Sequence, residues 1–380
     1  MAFTFEIFSD VNQLPPDWDG LAKENIFLSR DYLEVLQLSA PDNMECHFIV
    51  LLESGKTIGI ALSQFLDVNQ LESFGDRDKC LRASARKLVF RNFSSRVLFI
   101  GNNMLTGQNA FVFAKDTDRV KTILALKAAA ISIRDSFTKK GKKIHLTTFK
   151  DFDDNEAEDF RKAGFKDHLE FSTQPNMVFT MRADWHSEQD YIGSLSKKYR
   201  DQYKRARKKS DGVHKRKMPL EDIIKYEDAI YDLYFHVAKN APFNTFFLSK
   251  NHFRIFKEKL RDKFLFYGYF LEEKLIGFNT LIKNGKSMDT YFLGYDDNIQ
   301  RDKMLYLNML YDMIAYSINK GFCEIVFGRT ALEIKSSVGA QPVPMYGFMQ
   351  HGNGLVNKNM DWIFKRLEPV AEWQQRNPFK

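Results

Sequence analysis

A short pattern used twice constrains the fold of this chain more than anything else in it. Gly55-Lys-Thr-Ile-Gly-Ile-Ala-Leu and Glu273-Lys-Leu-Ile-Gly-Phe-Asn-Thr each follow a polar turn and run into an apolar stretch. Lys-x-Ile-Gly after a turn reads as the second arm of a β-hairpin. His47–Glu53 should therefore pair with Thr57–Leu66, and Phe264–Leu271 with Lys274–Lys283. The elements around the hairpins come in matching order, the mark of an internal duplication. The first half reads as a strand at Phe3–Phe8, a helix opening at Ser29, strands at Arg96–Asn102 and Asn109–Ala114, and a long helix at Asp118–Lys140. A strand at Ile144–Phe149, a helix at Asn155–Ala163 and strands at Phe165–Phe171 and Pro175–Met181 would complete its sheet. The second half reads as a basic helix at Glu188–Lys209, a strand at Val213–Met218, and helices at Glu221–Lys239 and Lys250–Leu260. After its hairpin come a strand at Met288–Asp296, a helix at Lys303–Lys320 and a strand at Cys323–Gly328. A helix at Thr330–Val338, a last strand at Val343–Gln350 and a helix at Lys358–Arg366 follow, before a polar tail. At 380 residues the chain exceeds the roughly 250–300 at which single cores stop growing. The expected architecture is α/β, with two tandem domains, 1–183 and 184–380, meeting near Arg182–Ser187. Each would be a mixed, largely antiparallel sheet flanked by helices.

Composition and charge narrow the function classes. With 28% charged and 44% hydrophobic residues, the chain is globular in type. Phenylalanine is in excess, 35 residues against 15 Tyr and 4 Trp, which suits large cores or an apolar groove. No stretch reaches the ~18 apolar residues of a spanning helix. Met1-Ala-Phe-Thr-Phe-Glu lacks the basic and apolar regions of a secretory signal. Cys46, Cys80 and Cys323 are scattered without a CxxC pair, and each reads as a buried apolar residue of a reducing compartment. The expected location is the cytoplasm. The eight histidines show no HxxxH or HxH spacing and do not group with the cysteines, so no metal site is expected. GxSxG, GxxxxGK[ST] and GxGxxG are absent, which removes hydrolase, P-loop and dinucleotide readings. The net charge of +7 is local: Lys197–Lys217 holds eleven basic residues and two acidic ones, which points to one anionic partner surface.

Hairpin, strand, a long helix from near Lys303 and another strand make the order of the GNAT acyltransferase fold. Trp185, followed by Tyr191-Ile-Gly-Ser-Leu-Ser-Lys-Lys-Tyr-Arg-Asp-Gln-Tyr-Lys-Arg-Ala-Arg-Lys, resembles the segment opening the second acyltransferase domain of FemAB-like proteins. Gly328-Arg-Thr-Ala-Leu-Glu-Ile-Lys-Ser-Ser-Val-Gly-Ala-Gln-Pro is similar to their late strand-to-helix element, in which a Lys precedes a Gly by a few residues. The motifs cover most of Trp185–Gly352, and the first half resembles the family by element order. Members include tRNA-dependent aminoacyl transferases of the cell wall and acyl-CoA-dependent N-acyltransferases, some acting on long-chain bases in bacterial sphingolipid-type pathways. One departure bears on the donor. GNAT enzymes hold the CoA pyrophosphate with Gln/Arg-x-x-Gly-x-Gly/Ala at the start of the long helix, and the matching Gln300-Arg-Asp-Lys-Met-Leu has no glycine. Arg301 and Lys303 could add charge at a helix N-terminus, but the close backbone approach of glycine is lost. A divergent donor site is expected.

N-acyl transfer needs a neutral amine, a polarised carbonyl and a donor site. Arg329, Glu333 and Lys335 cluster after a strand end. Arg329 or Lys335 could hold an anionic group or the carbonyl oxygen, and Glu333 could be a base or hold the substrate ammonium. An ion pair of Glu333 with Arg329 at i,i+4 is the competing reading; the resemblance favours Lys335. His236 could be a base, or a hydrogen-bonded core histidine; His351 has the same two readings. Tyr291, Gly294 and Tyr295 fall where GNAT strands contact the donor, and also read as sheet packing. Tyr191, Leu195, Tyr199, Tyr203 and Ala206 share one helix face, leaving Lys197, Arg200 and Lys204 for anionic lipid head groups, tRNA, or the phosphate arm of CoA or a carrier protein. Phe246, Phe247, Met304, Met309 and Met313 could line an acyl groove, or fill cores.

The expected function is transfer of a fatty acyl group from acyl-CoA or acyl carrier protein to the amine of a lipid precursor such as a long-chain base, in the cytoplasm and at the inner-membrane surface through 197–217. No permanently bound cofactor is expected. The alternatives are aminoacyl transfer from tRNA to a cell-wall precursor, which the missing helical tRNA-binding arm disfavours, and a non-catalytic binding protein on a GNAT scaffold.

Overall fold

The computed structural model describes residues 2–23, 25–68, 94–172, 174–241, 244–367 and 373–380; Cys80, Pro242 and Phe243 lie outside them. The first half runs β1 (Phe3–Phe8), α1 (Trp18–Ala22), α2 (Arg30–Ser39), β2 (Met44–Glu53), β3 (Lys56–Asp67), β4 (Arg96–Ile100) and β5 (Phe111–Phe113). It continues with α3 (Arg119–Lys139), β6 (Leu146–Phe152), α4 (Asp154–Lys162), β7 (Leu169–Ser172) and β8 (Asn176–Thr180). Then come α5 (Glu188–Ser194), α6 (Lys197–Lys209), β9 (Val213–Lys217), α7 (Leu220–Lys225), α8 (Glu227–Asn240) and α9 (His252–Leu260). The second hairpin is β10 (Phe264–Leu271) with β11 (Lys274–Asn284), followed by β12 (Ser287–Tyr295), α10 (Asp297–Lys303) and α11 (Leu305–Asn319). The chain ends with β13 (Glu324–Gly328), α12 (Leu332–Ser337), β14 (Gln341–Val343), β15 (Tyr346–His351), α13 (Gly354–Lys358) and α14 (Met360–Leu367).

Both hairpins form, and they share a defect. Leu51 faces Gly59 while Leu52 faces Thr57, so Ile58 is bulged out; Tyr269 faces Gly277 while Phe270 faces Leu275, so Ile276 is bulged out. The bulge falls on the Ile of Lys-x-Ile-Gly each time, a repeat of backbone geometry that four matching letters only hint at.

The chain divides into two compact units, and the division does not follow the expected boundary at 183/184. Unit 1 is 1–174, 242–249 and 344–371; unit 2 is 175–241, 250–343 and 372–380. The sheet of unit 1 has the order β1-β2-β3-β4-β6-β15-β7, with β5 also on β3. Read from its basic edge, the sheet of unit 2 has the order β9-β10-β11-β12-β13-β8-β14. The sixth strand of each sheet comes from the other half of the sequence. Pro175–Met181 was expected in the first sheet; β8 instead pairs with β13 and β14. The strand expected at Val343–Gln350 pairs as β15 with β6 and β7. Side chains dictate the placement. Phe348 stacks on Phe160 at 5.5 Å, within the phenylalanine cluster of unit 1. Met177 and Phe179 enter the core of unit 2.

Several expected helices are shorter than their patterns. Glu188–Lys209 breaks at extended Leu195 and Ser196, the latter capping α6. Glu221–Lys239 divides at Tyr226 into α7 and α8. The helix expected from Lys303 forms as α11, and Met304, with a left-handed backbone (φ 47°), separates it from the additional α10. The helix expected at Lys358–Arg366 forms as α14, with the short α13 before it. Among the described residues no helix is long and apolar enough to cross a membrane.

Candidate active site

The site in unit 2 begins where β12 and β13 part. They pair in parallel only over Ser287–Asp289 and Glu324–Val326. Thr290 Oγ1 donates to Val326 O at 3.0 Å just beyond. β12 runs on to Tyr295, whereas β13 stops at Gly328. Two left-handed residues, Gly328 (φ 76°) and Ala331 (φ 54°), then turn the chain into α12. Lys335 on α12 reaches back, and its Nζ donates to Phe327 O at 2.6 Å and Gly328 O at 3.2 Å. The ammonium thus takes up carbonyls at the end of the strand, groups that need a partner once buried. Lys335 is only 3% exposed, and among the described residues no carboxylate pairs with it. Burial pushes its pKa down to about 7. Arg329, on the turn itself, is lowered to about 10, also by burial.

Unit 1 also buries a lysine beside its parallel pair, and there the charge is cancelled. β4 and β6 pair in parallel over Val97–Ile100 and Leu146–Phe149. Lys150, the next residue, donates to Asn102 O at 2.9 Å and pairs with Asp151 Oδ2 at 2.6 Å. Neighbouring strand residues normally face opposite ways; the left-handed backbone of Asp151 (φ 69°) departs from the strand and lets the two meet. Asp151 neutralises Lys150, and among the described residues Lys335 has no such partner.

The other candidates are dispersed. Glu333 is exposed and pairs with the guanidinium of Arg376, not with Arg329. An i,i+4 pair needs helix through both residues, and α12 starts only at Leu332. His236 is neither in the core nor near Lys335 in sequence: it is exposed on α8, with Nε2 2.6 Å from Asp297 Oδ2. His351 is buried at the end of β15, where Asn353 N donates to its Nδ1. Tyr291 is buried, its hydroxyl 2.9 Å from Nε2 of fully buried His252. Sequence reasoning does not single out His252, which carries no motif and sits beside Phe253 and Phe256. Tyr295 is half-buried beside Tyr306, and burial raises its hydroxyl pKa. Gly294 packs under α8: a Cβ there would lie 2.6 Å from the backbone of Leu233 and Tyr234.

The helix start expected to take a phosphate is in use. Lys303 Nζ donates to Asp211 O at 2.7 Å, and Asn308 Nδ2 donates to Ala206 O at 2.9 Å, so α11 begins against the end of α6. Arg301 is exposed. Met309 and Met313 are core residues of unit 2, whereas Phe246 is buried in unit 1; Met304 and Phe247 are half-buried. Cys46 is inert, its thiol pushed up to about 12 by burial, but Cys323 is exposed rather than buried.

The basic segment divides into anchors and free charges. Arg207 binds Glu188 Oε1 at 2.8 Å and Asp312 Oδ1 at 2.7 Å. Burial opposes its charge, but Asp312, Tyr203 and Glu188 outweigh that and raise its pKa. Arg200 donates to Leu195 O, and Lys215 lies over the Tyr267 ring at 4.4 Å. Of the apolar face expected over Tyr191–Ala206, α6 carries Tyr199 and Ala206, both buried, and half-buried Tyr203; Tyr191 and Leu195 are buried but precede that helix. Lys197, Lys204, Arg205, Lys208, Lys209 and Lys217 are exposed, with no ion pair among the described residues.

Two seven-strand paths of the same order, each with one parallel pair between its fourth and fifth strands, define the GNAT class of fold, here in tandem. Among solved structures the chain is similar to FemX, at 12% identity and TM-score 0.53 over 96% of this chain and 100% of that one. It is also similar to a tandem GNAT protein from the clavulanic acid biosynthesis pathway, at 9% identity and TM-score 0.51 over 93% and 99%. A conserved protein of unknown function from Bacteroides thetaiotaomicron matches at 12% identity and TM-score 0.52 over 91% and 100%. These likenesses show a FemAB-like, tandem GNAT fold. No protein-family model and no curated protein matches the chain. Among the described residues no group of three or more His, Cys, Asp or Glu could hold a metal ion.

Proposed function

We propose that this chain is an N-acyltransferase whose chemistry takes place in unit 2, at the end of β13. A fatty acyl thioester, on CoA or acyl carrier protein, is the donor, and the amine of a lipid precursor such as a long-chain base is the acceptor. The amine nitrogen attacks the thioester carbonyl, the C–N bond forms, the C–S bond breaks, and the thiol leaves with the proton the amine sheds. Lys335, with two N–H groups on Phe327 O and Gly328 O, has a third to donate to the oxygen that gains charge. Arg329 holds an anionic group of donor or acceptor. The exposed lysines and arginines of 197–217 meet anionic lipid at the inner-membrane surface.

One observation carries this reading: among the described residues no carboxylate pairs with buried Lys335, whereas the buried lysine of unit 1, Lys150, has Asp151. A buried cation without a partner is costly, and it is useful where negative charge develops. The test is incubation of the purified chain with a long-chain base and an acyl-CoA or acyl carrier protein, read by mass spectrometry, beside the lipids of a deletion strain. Amide product in vitro, with loss of N-acylated lipids and build-up of free-amine precursors in the strain, supports it. Absence of product with unchanged lipids overturns it.

The exposed cations of 197–217 also favour a second reading, aminoacyl transfer from tRNA. That reading requires tRNA binding that weakens steeply with salt, and transfer from an aminoacyl-tRNA.

A further inference from the structure

The tail, expected to be merely polar, is built into unit 2 over the helix that bears Lys335. Arg376 N donates to Ser336 Oγ at 3.0 Å, and Arg376 Nε donates to Glu333 Oε1 at 3.0 Å. These partners lie one and two residues from Lys335 on α12. Gln375 donates to Gln341 Oε1 at 2.7 Å, just past the same helix. The Phe379 ring packs on Trp185 and Tyr191 at 5.7 and 6.3 Å. A Cβ at Gly339 would collide with that ring. Arg182 lies over its face at 4.7 Å. Backbone bonds fix the strap at its end: Ser196 N donates to Pro378 O at 2.8 Å, and Lys380 N to Ser194 O at 3.2 Å.

Other contacts hold the C-terminal end of α12. Tyr191 donates through its hydroxyl to Val338 O at 2.9 Å, and Gln202 reaches Ser337 Oγ at 3.4 Å. A helix of six residues cannot hold its own geometry in water. Its position is set by what grips it, and the strap grips the turn that carries Lys335.

We propose that residues 373–380 form a strap that positions Lys335, with Arg376 the positioning residue and Glu333 its partner on the helix. This rests on the reading of Lys335 as the group that meets the reacting acyl carbonyl. It also gives Glu333 a role other than base: its carboxylate is engaged by Arg376 and acts through α12 rather than on substrate.

The experiment uses the full chain with Arg376→Ala, Arg376→Lys, Glu333→Gln and Phe379→Ala, each checked for folding by circular dichroism and melting. The first readout is modification of Lys335 by a small amine-acylating reagent across a pH series, followed by peptide mass spectrometry. This needs no turnover, so it stands even if the enzyme reading fails. The strap predicts that Arg376→Ala and Glu333→Gln each raise the labelling rate of Lys335 several-fold and shift its pH midpoint. The double variant should do no more than either alone, and Arg376→Lys should restore part of the loss. The second readout is kinetic: kcat should fall about tenfold with KM within twofold. Folded Arg376→Ala and Phe379→Ala proteins with the labelling rate and midpoint of the parent would overturn the proposal. Altered labelling with no turnover by the parent would keep the strap and refute the acyltransferase reading.

Discussion

Lys335 and Asp289 are both buried ionisable groups in unit 2, and they make opposite demands on pH. Asp289 is 4% exposed with Oδ2 lacking a hydrogen-bond partner, and burial pushes its pKa up to about 7. An unfolded aspartate titrates near 3.9. Between these values the folded chain holds more protons than the unfolded one, so stability falls as pH rises from about 4 to about 7. Lys335 titrates at about 7 when folded and near 10.4 when unfolded. Over that interval the unfolded chain holds more protons, so stability climbs with pH. The pair should produce a dip in melting temperature near neutrality. Asp289→Asn should flatten its share of the acid limb and Lys335→Met the alkaline one, as measured by melting curves from pH 4 to 10. Catalysis tests the same lysine differently. Lys335→Met should lower kcat by roughly 10²–10³-fold, the usual effect of losing an oxyanion donor. In the parent, kcat should fall as pH rises past the titration of the ammonium. A rate that instead grew with pH through that range would mean that the neutral amine acts as a base.

At the scale of elements, the sheet of unit 2 is clasped closely on both faces through two glycines. Gly294 lies against the backbone of α8, and a Cβ at Gly277 would meet Leu305 and Met309 of α11 at 2.9 Å. Gly294→Ala faces backbone that cannot give way. It should cost more stability than Gly277→Ala, whose nearest contacts are flexible side-chain ends with the Gly294 carbonyl farther off at 3.1 Å, by roughly 1–3 kcal/mol on the scale of overpacked cores. Paired urea melts would measure the difference. This is also the scale at which the sequence is most legible. Both hairpins, the long helix of unit 1 and the strand leading to Arg329 follow from turn residues and apolar pattern. Breaks inside helices are less legible, because Leu195, Tyr226 and Met304 are not helix breakers and tertiary contacts set their backbone. Of the site, Lys335 and Arg329 stand out after a strand end. Glu333 reads as paired, but its partner, Arg376, lies 43 residues away, where only folding brings it near. His252 has no pattern to betray it.

For the whole molecule, the duplication is visible in sequence but the exchanged strands are not, because β8 and β15 would fit either sheet by alternation alone. Cutting the chain at 183/184 would remove β15 from unit 1, and β8 from unit 2. Fragments 1–183 and 184–380 made separately should lack cooperative melting, and mixing them should restore it. Scanning calorimetry would check both outcomes; a cooperative transition in either fragment alone would contradict the role given to the exchanged strands. The free charges of α6 and β9 give a prediction at the same scale. Reversing Lys204, Arg205, Lys208 and Lys209 to Glu should abolish binding to anionic vesicles and leave melting nearly unchanged, as read by co-sedimentation.

The exchange also sets a timetable on the ribosome. Ser172 at the end of β7 and Met345 beside β15 are 173 residues apart, yet they are hydrogen-bonded in the finished protein. At roughly 5–20 residues per second, β6 and β7 wait about 10–35 s for the strand that belongs between them. During that interval the sheet of unit 1 has two bare edges, an invitation to mispairing. β8 waits in turn for β13, and the strap over Lys335 emerges after β15. A nascent chain that has not yet passed β15 would therefore have no finished sheet in unit 1, so folding of the first half is deferred until a strand of the second half has been made.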